Sequence, residues 1–317
     1  MREERGGKGA GFPSAKRLGG LLAATGFLGL GLEMLVIRGL REQLEGTVYT
    51  HGLVLAVYLA GSTAGAAWRS RRGADRWPLR RSLTGLALAT GWSGAGLVLA
   101  GGMYDGLRGW VAGGLGAALG AEAGVALAVL FPAAWWMGAT FAELIESWRA
   151  RTGRTGTGLA LNLAGGALAP VVGIGGLVRL AGVEGAVGLL VVGYALCAAR
   201  VSGEDERGRR KRWSGLRRWP ELLAGGLGLM LAIAARPWVR HAVPLAPGSR
   251  VVAERTGPFA TVRVIEDADG HRTLRVGRHW NMGGTGSARR ERLQGHLALL
   301  WHPAPHRALF LGAGTGI

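Results

Sequence analysis

Residues Ala304–Ile317 read APHRALFLGAGTGI, a short apolar run followed by a glycine-rich turn. The run Ala308–Leu311 predicts a buried strand, and Gly312, Gly314 and Gly316 follow it directly. Glycine has no Cβ and reaches positive φ, so such a turn lets the backbone pass close to a nucleoside-type ligand. An ordinary tight turn is the alternative, because this glycine pattern alone is a weak signal. The stretch therefore predicts the start of a βαβ unit, which needs about 30 or more residues.

The chain before this stretch is apolar and rich in glycine. It has 317 residues, of which 49% are hydrophobic, 18% are charged and 58 are glycine. The apolar residues form runs long enough for bilayer-spanning helices, which need about 20 residues each. Frequent glycine fits helices that pack closely in lipid, and the absence of a strict triplet period excludes collagen. The composition predicts a multi-pass α-helical membrane bundle over residues 18–240, after a basic tail at 1–17.

The basic residues lie mostly in short loops between the apolar runs. The net charge of +18 first suggests nucleic-acid binding, but this placement is typical of cytoplasmic loops in membrane proteins. We therefore expect no nucleic-acid partner, and we expect a lipid bilayer as the location. The single Cys197 excludes an intrachain disulfide. His302 and His306 have helical metal spacing, but the prolines beside them disfavour a helix, so we expect no metal.

About seven apolar segments are candidate spans. The fourth is too long for one straight crossing, so Pro132 predicts a crossing to Phe131 followed by a kink and an extension. A weakly charged loop is expected before it, around Tyr104–Arg108. The segments are Leu18–Ile37, Val48–Trp68, Ser82–Gly102, Gly109–Trp148, Gly156–Leu180, Gly185–Ala199 and Glu221–Ala235.

Polar residues inside these segments are candidate intramembrane site residues. A charge at bilayer depth costs about 2.5–3.5 kcal/mol on insertion scales, so it usually faces the bundle interior and often marks function. For Glu33, structural pairing with a neighbour such as Arg38 is the alternative, and Glu122 can reach the interface. An asparagine in lipid needs a hydrogen-bond partner, and small residues around a threonine predict a helix contact. The candidates are Glu33, Thr140 and Asn162.

Residues 241–317 have the composition of a soluble α/β region. Val251–Val276 alternates apolar and polar residues around Asp269-Gly270, which is a strong hairpin signal. Gly283–Gly286 predicts a loop. Arg289–Trp301 can form a short helix with three leucines on one face. The chain as a whole is therefore predicted to be a membrane bundle followed by the start of an α/β domain, and this domain begins with a β-hairpin.

Several stretches, in their order along the chain, resemble the membrane-fused spermidine synthase-like proteins of bacteria, also described as fused major-facilitator/spermidine synthase proteins. The helical part carries four of them, including an element similar to P-x₄-MGATFP in which Ala142 replaces the second proline. Val262–Ile317 resembles the synthase hairpin, first strand and glycine loop. The four are Gly26–Arg38 (GFLGLGLEMLVIR), Leu53–Gly65, Phe131–Glu143 (FPAAWWMGATFAE) and Leu161–Pro170 (LNLAGGALAP).

The resemblance implies a Rossmann-like, methyltransferase-type domain that acts as a polyamine aminopropyltransferase. It implies decarboxylated S-adenosylmethionine or S-adenosylmethionine as a substrate and a polyamine or other amine as the acceptor, and it is compatible with homo-oligomers. Its catalytic residues are expected beyond Ile317. The residues that it assigns to ligand binding are Gly312, Gly314, Thr315, Gly316, Asn281 and His296.

Departures from the family pattern leave several functions open. Phe259-Ala260 stands where a tyrosine-glutamine pair is usual, and Thr315 stands where an acidic residue is frequent. Arg290 and Arg292 fall on a Tyr-x-Glu element, where they would repel a polyamine. Another S-adenosyl ligand, another acceptor or loss of catalysis would each fit. The alternative is a non-catalytic, transporter-like or scaffold membrane protein with a vestigial synthase domain.

The side of the membrane on which residues 241–317 lie is a separate question. The basic N-terminus and the loops Arg69–Arg81, Arg149–Arg154 and Arg200–Arg218 are expected in the cytoplasm. Seven crossings would then place residues 241–317 outside, whereas an even number would place them inside. We expect them inside, because the S-adenosyl ligand requires it.

Overall fold

The computed structural model describes residues 14–71, 79–110, 113–205, 226, 245–309 and 314–315. Within these ranges, six helices precede a four-stranded sheet and a final helix. A π-helical segment, Pro170–Leu177, joins the fifth helix to the sixth. The six helices are α1 Ala15–Gln43, α2 Val48–Arg71, α3 Leu79–Trp110, α4 Leu115–Thr152, α5 Thr155–Ala169 and α6 Val178–Asp205.

Four helical stretches of the described chain are long and apolar enough to cross a membrane. They are Ala15–Gln43, Leu79–Trp110, Leu115–Thr152 and the continuous stretch Thr155–Val201. The last is interrupted at Gly182, whose φ of 74° and ψ of 178° are not helical. The chain is thus a multi-pass membrane protein by the length and composition of its helices. The first six predicted spans fall on these helices and α2, and the seventh lies outside the described residues apart from Gly226.

Two predicted boundaries in this region are wrong. Tyr104–Arg108 is not a loop but belongs to the last turns of α3, which continues to Trp110. The next helix therefore begins at Leu115 rather than Gly109. Both errors have one cause. The glycines and charged residues around Asp105 suggest a break in the sequence, but α3 continues through them at its end.

Pro132 lies inside α4, which remains one helix of 38 residues. Proline cannot donate to the carbonyl four residues earlier, which is that of Ala128. The Trp92 indole of α3 donates to this oxygen at 2.8 Å, and the Ser93 hydroxyl donates to the Val129 carbonyl at 2.8 Å. A neighbouring helix thus satisfies the carbonyl that the proline frees, as apolar surroundings require. The residues after Phe131 continue the same helix.

The helices approach one another at glycines. A Cβ at Gly65 of α2 would lie 1.8 Å from the Trp135 carbonyl oxygen, and one at Gly138 of α4 would lie 1.9 Å from the Ser62 oxygen. The two backbones are therefore in direct contact on both sides of this crossing. The small-residue contact predicted around Gly138 is confirmed.

A second crossing of the same kind joins α1 to α5. A Cβ at Gly26 would lie 2.0 Å from the Asn162 carbonyl oxygen, and one at Gly165 would lie 1.9 Å from the Ala23 oxygen. Because α1 also packs against α3, α4 and α6, it is the central helix of the bundle. The fully buried side chains Leu22, Leu32 and Leu35 belong to it.

The extramembrane part is a small antiparallel sheet. Its order is β1-β2-β3-β4, and it is followed by a 3₁₀ turn, Thr285–Ser287, and helix α7, Ala288–Leu300. The predicted hairpin is confirmed between the second and third strands, and the predicted short helix is α7. The strands are β1 Arg250–Thr256, β2 Thr261–Glu266, β3 Arg272–Val276 and β4 Trp280–Gly284.

The hairpin turn forms from local sequence. Gly270 has a φ of 81°, a conformation that side chains rarely adopt. The Asp267 carboxylate accepts the backbone N–H groups of Asp269 at 3.0 Å and His271 at 2.8 Å. Such an aspartate mimics a backbone turn, so the register Glu266↔Arg272 follows from residues within one short stretch.

The Rossmann-like start of a domain is not confirmed. All strand pairs in the described chain are antiparallel, whereas a Rossmann sheet is parallel. Ala308 and Leu309 form no strand, and the rest of the predicted strand Ala308–Leu311 lies outside the described residues. Leu309 is irregular and 85% exposed.

Candidate functional site

The sheet is fixed to the C-terminal end of α1 by a buried arginine. Arg38 donates from Nε to the Pro258 carbonyl and from Nη2 to the Gly257 carbonyl, both at 3.0 Å. Its Nη1 lies 2.6 Å from the Glu42 carboxylate, and the same carboxylate accepts the Thr261 N–H at 2.7 Å. Arg38 and Glu42 together therefore hold the loop between β1 and β2 against the bundle.

A second set of contacts fixes the β3–β4 turn to the same end. The Arg278 backbone N–H donates to the Glu42 carbonyl at 3.0 Å, and the Trp280 indole donates to the Glu45 carbonyl at 2.8 Å. The Arg278 guanidinium pairs with Asp105 of α3. Tyr104 of α3 donates to the Glu45 carboxylate at 2.6 Å, so α1, α3 and the sheet meet in one polar layer.

A separate group of basic residues lies at the opposite helix ends. Near the start of α1, a Cβ at Gly19 would lie 3.3 Å from the Trp148 ring and 3.2 Å from Leu161, so this end meets the end of α4 and the start of α5. The described ends of these helices thus share one face, and the sheet lies at the other. In a bundle that spans a membrane, this arrangement places these basic helix ends and the sheet on opposite sides. The basic residues at this face include Lys16, Arg17, Arg69, Arg71, Arg80, Arg81, Arg149, Arg151 and Arg154.

Glu33 lies on α1 inside the bundle and is 9% exposed. The side chain of Tyr58 on α2 lies near this carboxylate. The pairing with Arg38 considered from the sequence is wrong, because Arg38 pairs with Glu42, one turn further along the helix. The residues i and i+4 face each other on a helix, whereas i and i+5 do not.

The other two intramembrane candidates lie in helix contacts. The Asn162 amide donates to the Leu22 carbonyl at 3.0 Å. The asparagine therefore has the hydrogen-bond partner that it needs in lipid. Thr140 is 1% exposed, and its hydroxyl has no hydrogen-bond partner in the described part of the chain. The structure shows no contact that joins Asn162 or Thr140 to Glu33.

Glu122 is buried beneath the polar layer. It is 2% exposed, and it accepts the Thr50 hydroxyl at 2.8 Å and the Glu45 N–H at 3.1 Å. Both donors lie at the connection between α1 and α2. Glu122 therefore fixes the chain where it turns back into the bundle, at the same end as the sheet.

Glu291 of α7 joins the glycine loop to the sheet. Thr315 donates from its hydroxyl to Glu291 Oε2 at 2.6 Å, and the Gly284 N–H donates to Oε1 at 2.9 Å. The Ser287 hydroxyl also donates to this carboxylate. Together the Ser287 and Thr315 hydroxyls and the Gly284 N–H hold the pKa of Glu291 below its usual value. One carboxylate thus ties Thr315 to the end of β4 and the start of α7.

Sequence reasoning missed Glu291, although a signal was present. Ser287 directly precedes α7, and Glu291 lies in the first turn of that helix. A serine followed by an acidic residue at such positions is typical of helix N-termini. The sequence did not reveal that the carboxylate also reaches Thr315, 24 residues further along the chain.

The remaining predicted ligand residues are only partly placed. Gly312 and Gly316 lie outside the described residues, and Gly314 has a φ of 55°. Asn281 is exposed on β4, and its side-chain oxygen accepts the Gly283 N–H at 3.0 Å. His296 is exposed on α7. The structure thus brings Gly314 and Thr315 to the β4 end, and it shows no contact between them and His296.

No group of three or more metal-ligating side chains is found in the described ranges. A comparison of the chain with protein-family models, with curated proteins and with solved structures gives no match.

Proposed function

We propose that the chain belongs to an integral inner-membrane protein of the spermidine synthase-like family, whose bundle anchors the start of an S-adenosyl-type transferase domain. In such a reaction the lone pair of an amine forms a bond to the carbon beside the sulfonium. The carbon–sulfur bond breaks as the new bond forms, and a carboxylate accepts the proton that the amine loses.

The observation that carries the proposal is the contact between Glu291 and Thr315. It holds a residue of the glycine loop at the end of β4, the strand that also bears Asn281. A glycine loop held against a sheet is where a nucleoside would approach the backbone. The order of hairpin, short helix and glycine loop, which the resemblance implies, supports the same assignment.

Calorimetric titration tests this function. The detergent-purified protein, with any sequence that follows Ile317 in its gene, is titrated with S-adenosylmethionine and with its decarboxylated form. We expect saturable binding of one of them. Thr315→Val should bind it at least about tenfold more weakly, because the variant loses the hydrogen bond to Glu291 that holds the glycine loop. A hydrogen bond to a charged group contributes about 1.5–3 kcal/mol. Thr155→Val, at the exposed start of α5, is the control. Absence of binding by folded protein, or equal affinity of both variants, would contradict the proposal.

A non-catalytic, transporter-like or scaffold membrane protein is the second candidate, and the position of the sheet favours it. The sheet lies at the end of the bundle opposite the basic ends of α1, α4 and α5, and basic loops usually stay in the cytoplasm. The sheet would then lie on the side away from the cytoplasm, and S-adenosyl compounds are scarce on that side. The side of the sheet therefore decides between the two functions, and chemical labelling measures it.

A further inference from the structure

The ring of Trp148 lies where the basic ends of three helices meet. A Cβ at Gly19 of α1 would lie 3.3 Å from this ring, and one at Gly158 of α5 would lie 2.7 Å from it. The Trp148 indole donates to the Thr157 hydroxyl at 3.1 Å, which fixes the orientation of the ring. The helices α1, α4 and α5 are therefore packed around one aromatic side chain at this end of the bundle.

Three exposed cations lie one helical turn further out. They are Lys16 on α1, Arg151 on α4 and Arg154 immediately before α5. Each lies three or four residues from Trp148 itself or from the glycine of its own helix that meets the ring. Because residues at these spacings are neighbours on a helix surface, the three cations surround the outer side of the contact.

These cations face little opposing charge. Of the three helices, only α4 carries carboxylates near Trp148. Glu146 lies two residues before the tryptophan, and residues at that spacing do not face each other. Glu143 is buried, where it accepts the Ser82 hydroxyl at 2.7 Å and lies 3.8 Å from Arg69 Nε. No ion pair of Lys16 or Arg154 is found in the described part of the chain.

The start of α5 adds backbone donors to the same place. Arg154 is its N-cap, and no side chain caps the helix there. The first N–H groups of a helix have no partner within it, and the positive end of the helix dipole favours an anion beside them. The α1 helix also begins at this face, after Ser14, without a side-chain cap.

The surface of α5 next to this charged end is apolar. Leu159 is 44% exposed, and Leu163, one turn further into the helix, is 62% exposed. In a bundle that spans a membrane, such a surface contacts acyl chains, and cations at the helix ends lie at the depth of the lipid headgroups. A molecule with an anionic headgroup and acyl chains matches both parts, whereas free phosphate matches only the charged part.

We propose that Lys16, Arg151 and Arg154, arranged around Trp148, form a binding site for one anionic phospholipid. The three cations and the first N–H groups of α5 hold its phosphate, and its acyl chains lie along the exposed leucines of that helix. The site goes beyond both candidate functions and depends on neither.

Native mass spectrometry of the detergent-purified protein tests the proposal. The probes are phosphatidylglycerol and phosphatidylcholine, which both contain a phosphate, although only the first has a net negative charge. We expect one phosphatidylglycerol molecule to bind at least about tenfold more tightly than phosphatidylcholine. The combined variant Lys16→Gln, Arg151→Gln and Arg154→Gln should lose this preference, because each basic residue near a headgroup contributes separately to the attraction.

A second combined variant is the matched control. Arg255→Gln, Arg289→Gln and Arg290→Gln remove the same charge from exposed positions of the sheet and α7, and this variant should keep the preference. A wild-type protein without the preference would overturn the proposal, whether or not the first variant folds. So would an unchanged preference in the first variant, an equal loss in the control, or displacement of phosphatidylglycerol by millimolar inorganic phosphate.

Discussion

Replacing Gly138 with leucine is expected to prevent formation of the folded bundle or to destabilise it by more than about 4 kcal/mol, an exceptional value for one substitution. A Cβ at this position would lie 1.9 Å from the Ser62 carbonyl oxygen. The obstacle is backbone rather than a flexible side chain, so it cannot turn away. The only relief is separation of α2 from α4, which would also open the reciprocal contact of Gly65 with Trp135.

The measurement is size-exclusion chromatography and thermal unfolding of detergent-purified variants. Gly120→Leu is the matched control, because Gly120 lies on the same helix and a Cβ there meets nothing within 4 Å. The control should elute as one species and unfold near the wild-type temperature. If Gly138→Leu behaves in the same way, the close α2–α4 crossing is incorrect.

Replacing Arg38 with methionine is expected to loosen the sheet from the bundle at a cost of about 3–5 kcal/mol, the range for removal of one partner of a buried ion pair. Arg38 is 4% exposed, and it donates to Gly257 and Pro258 besides pairing with Glu42. The variant leaves the Glu42 carboxylate without its cation and both carbonyls without their donor.

Hydrogen exchange measures the loosening where it should occur. The Thr261 N–H, bonded to Glu42, should exchange faster in Arg38→Met, whereas Arg41→Met, at an exposed position of the same helix, should leave it protected. Adding Glu42→Met to Arg38→Met should recover part of the stability, since removing both charges avoids an unpaired one. Unchanged protection of β2 in Arg38→Met would show that this arginine does not hold the sheet.

Features that depend on local sequence were predictable. The hairpin follows from the alternation of Val251–Val276 and the Asp269-Gly270 turn, and its turn hydrogen bonds all lie within a few residues. The helices follow from apolar runs of sufficient length. The small-residue contact at Gly138 was predicted as well, but the sequence did not identify Ser62 and Trp135 as the groups it meets.

Features that join distant parts of the chain were not predictable. Arg38 meets Pro258 across 220 residues, and no local pattern encodes such a pair. Trp92 reaches the carbonyl freed by Pro132 from another helix, and the sequence did not show this contact. Glu33 was recognised from its charge alone, and the sequence did not show which residues of other helices lie beside it.

The central claim is that the helices cross a bilayer with the basic loops on one side and the sheet on the other. Labelling of single cysteines in intact cells with a membrane-impermeant maleimide tests it, in a Cys197→Ala background that removes the one native cysteine. Ser70→Cys reports the basic face, and Asp269→Cys reports the hairpin tip, both at exposed positions. We predict that the two positions lie on opposite sides of the membrane, so that one of them reacts in intact cells and the other only after lysis; Asp269→Cys as the position that reacts first would favour the second candidate function. Equal reactivity of both positions before lysis, or protection of both until lysis, would contradict the account.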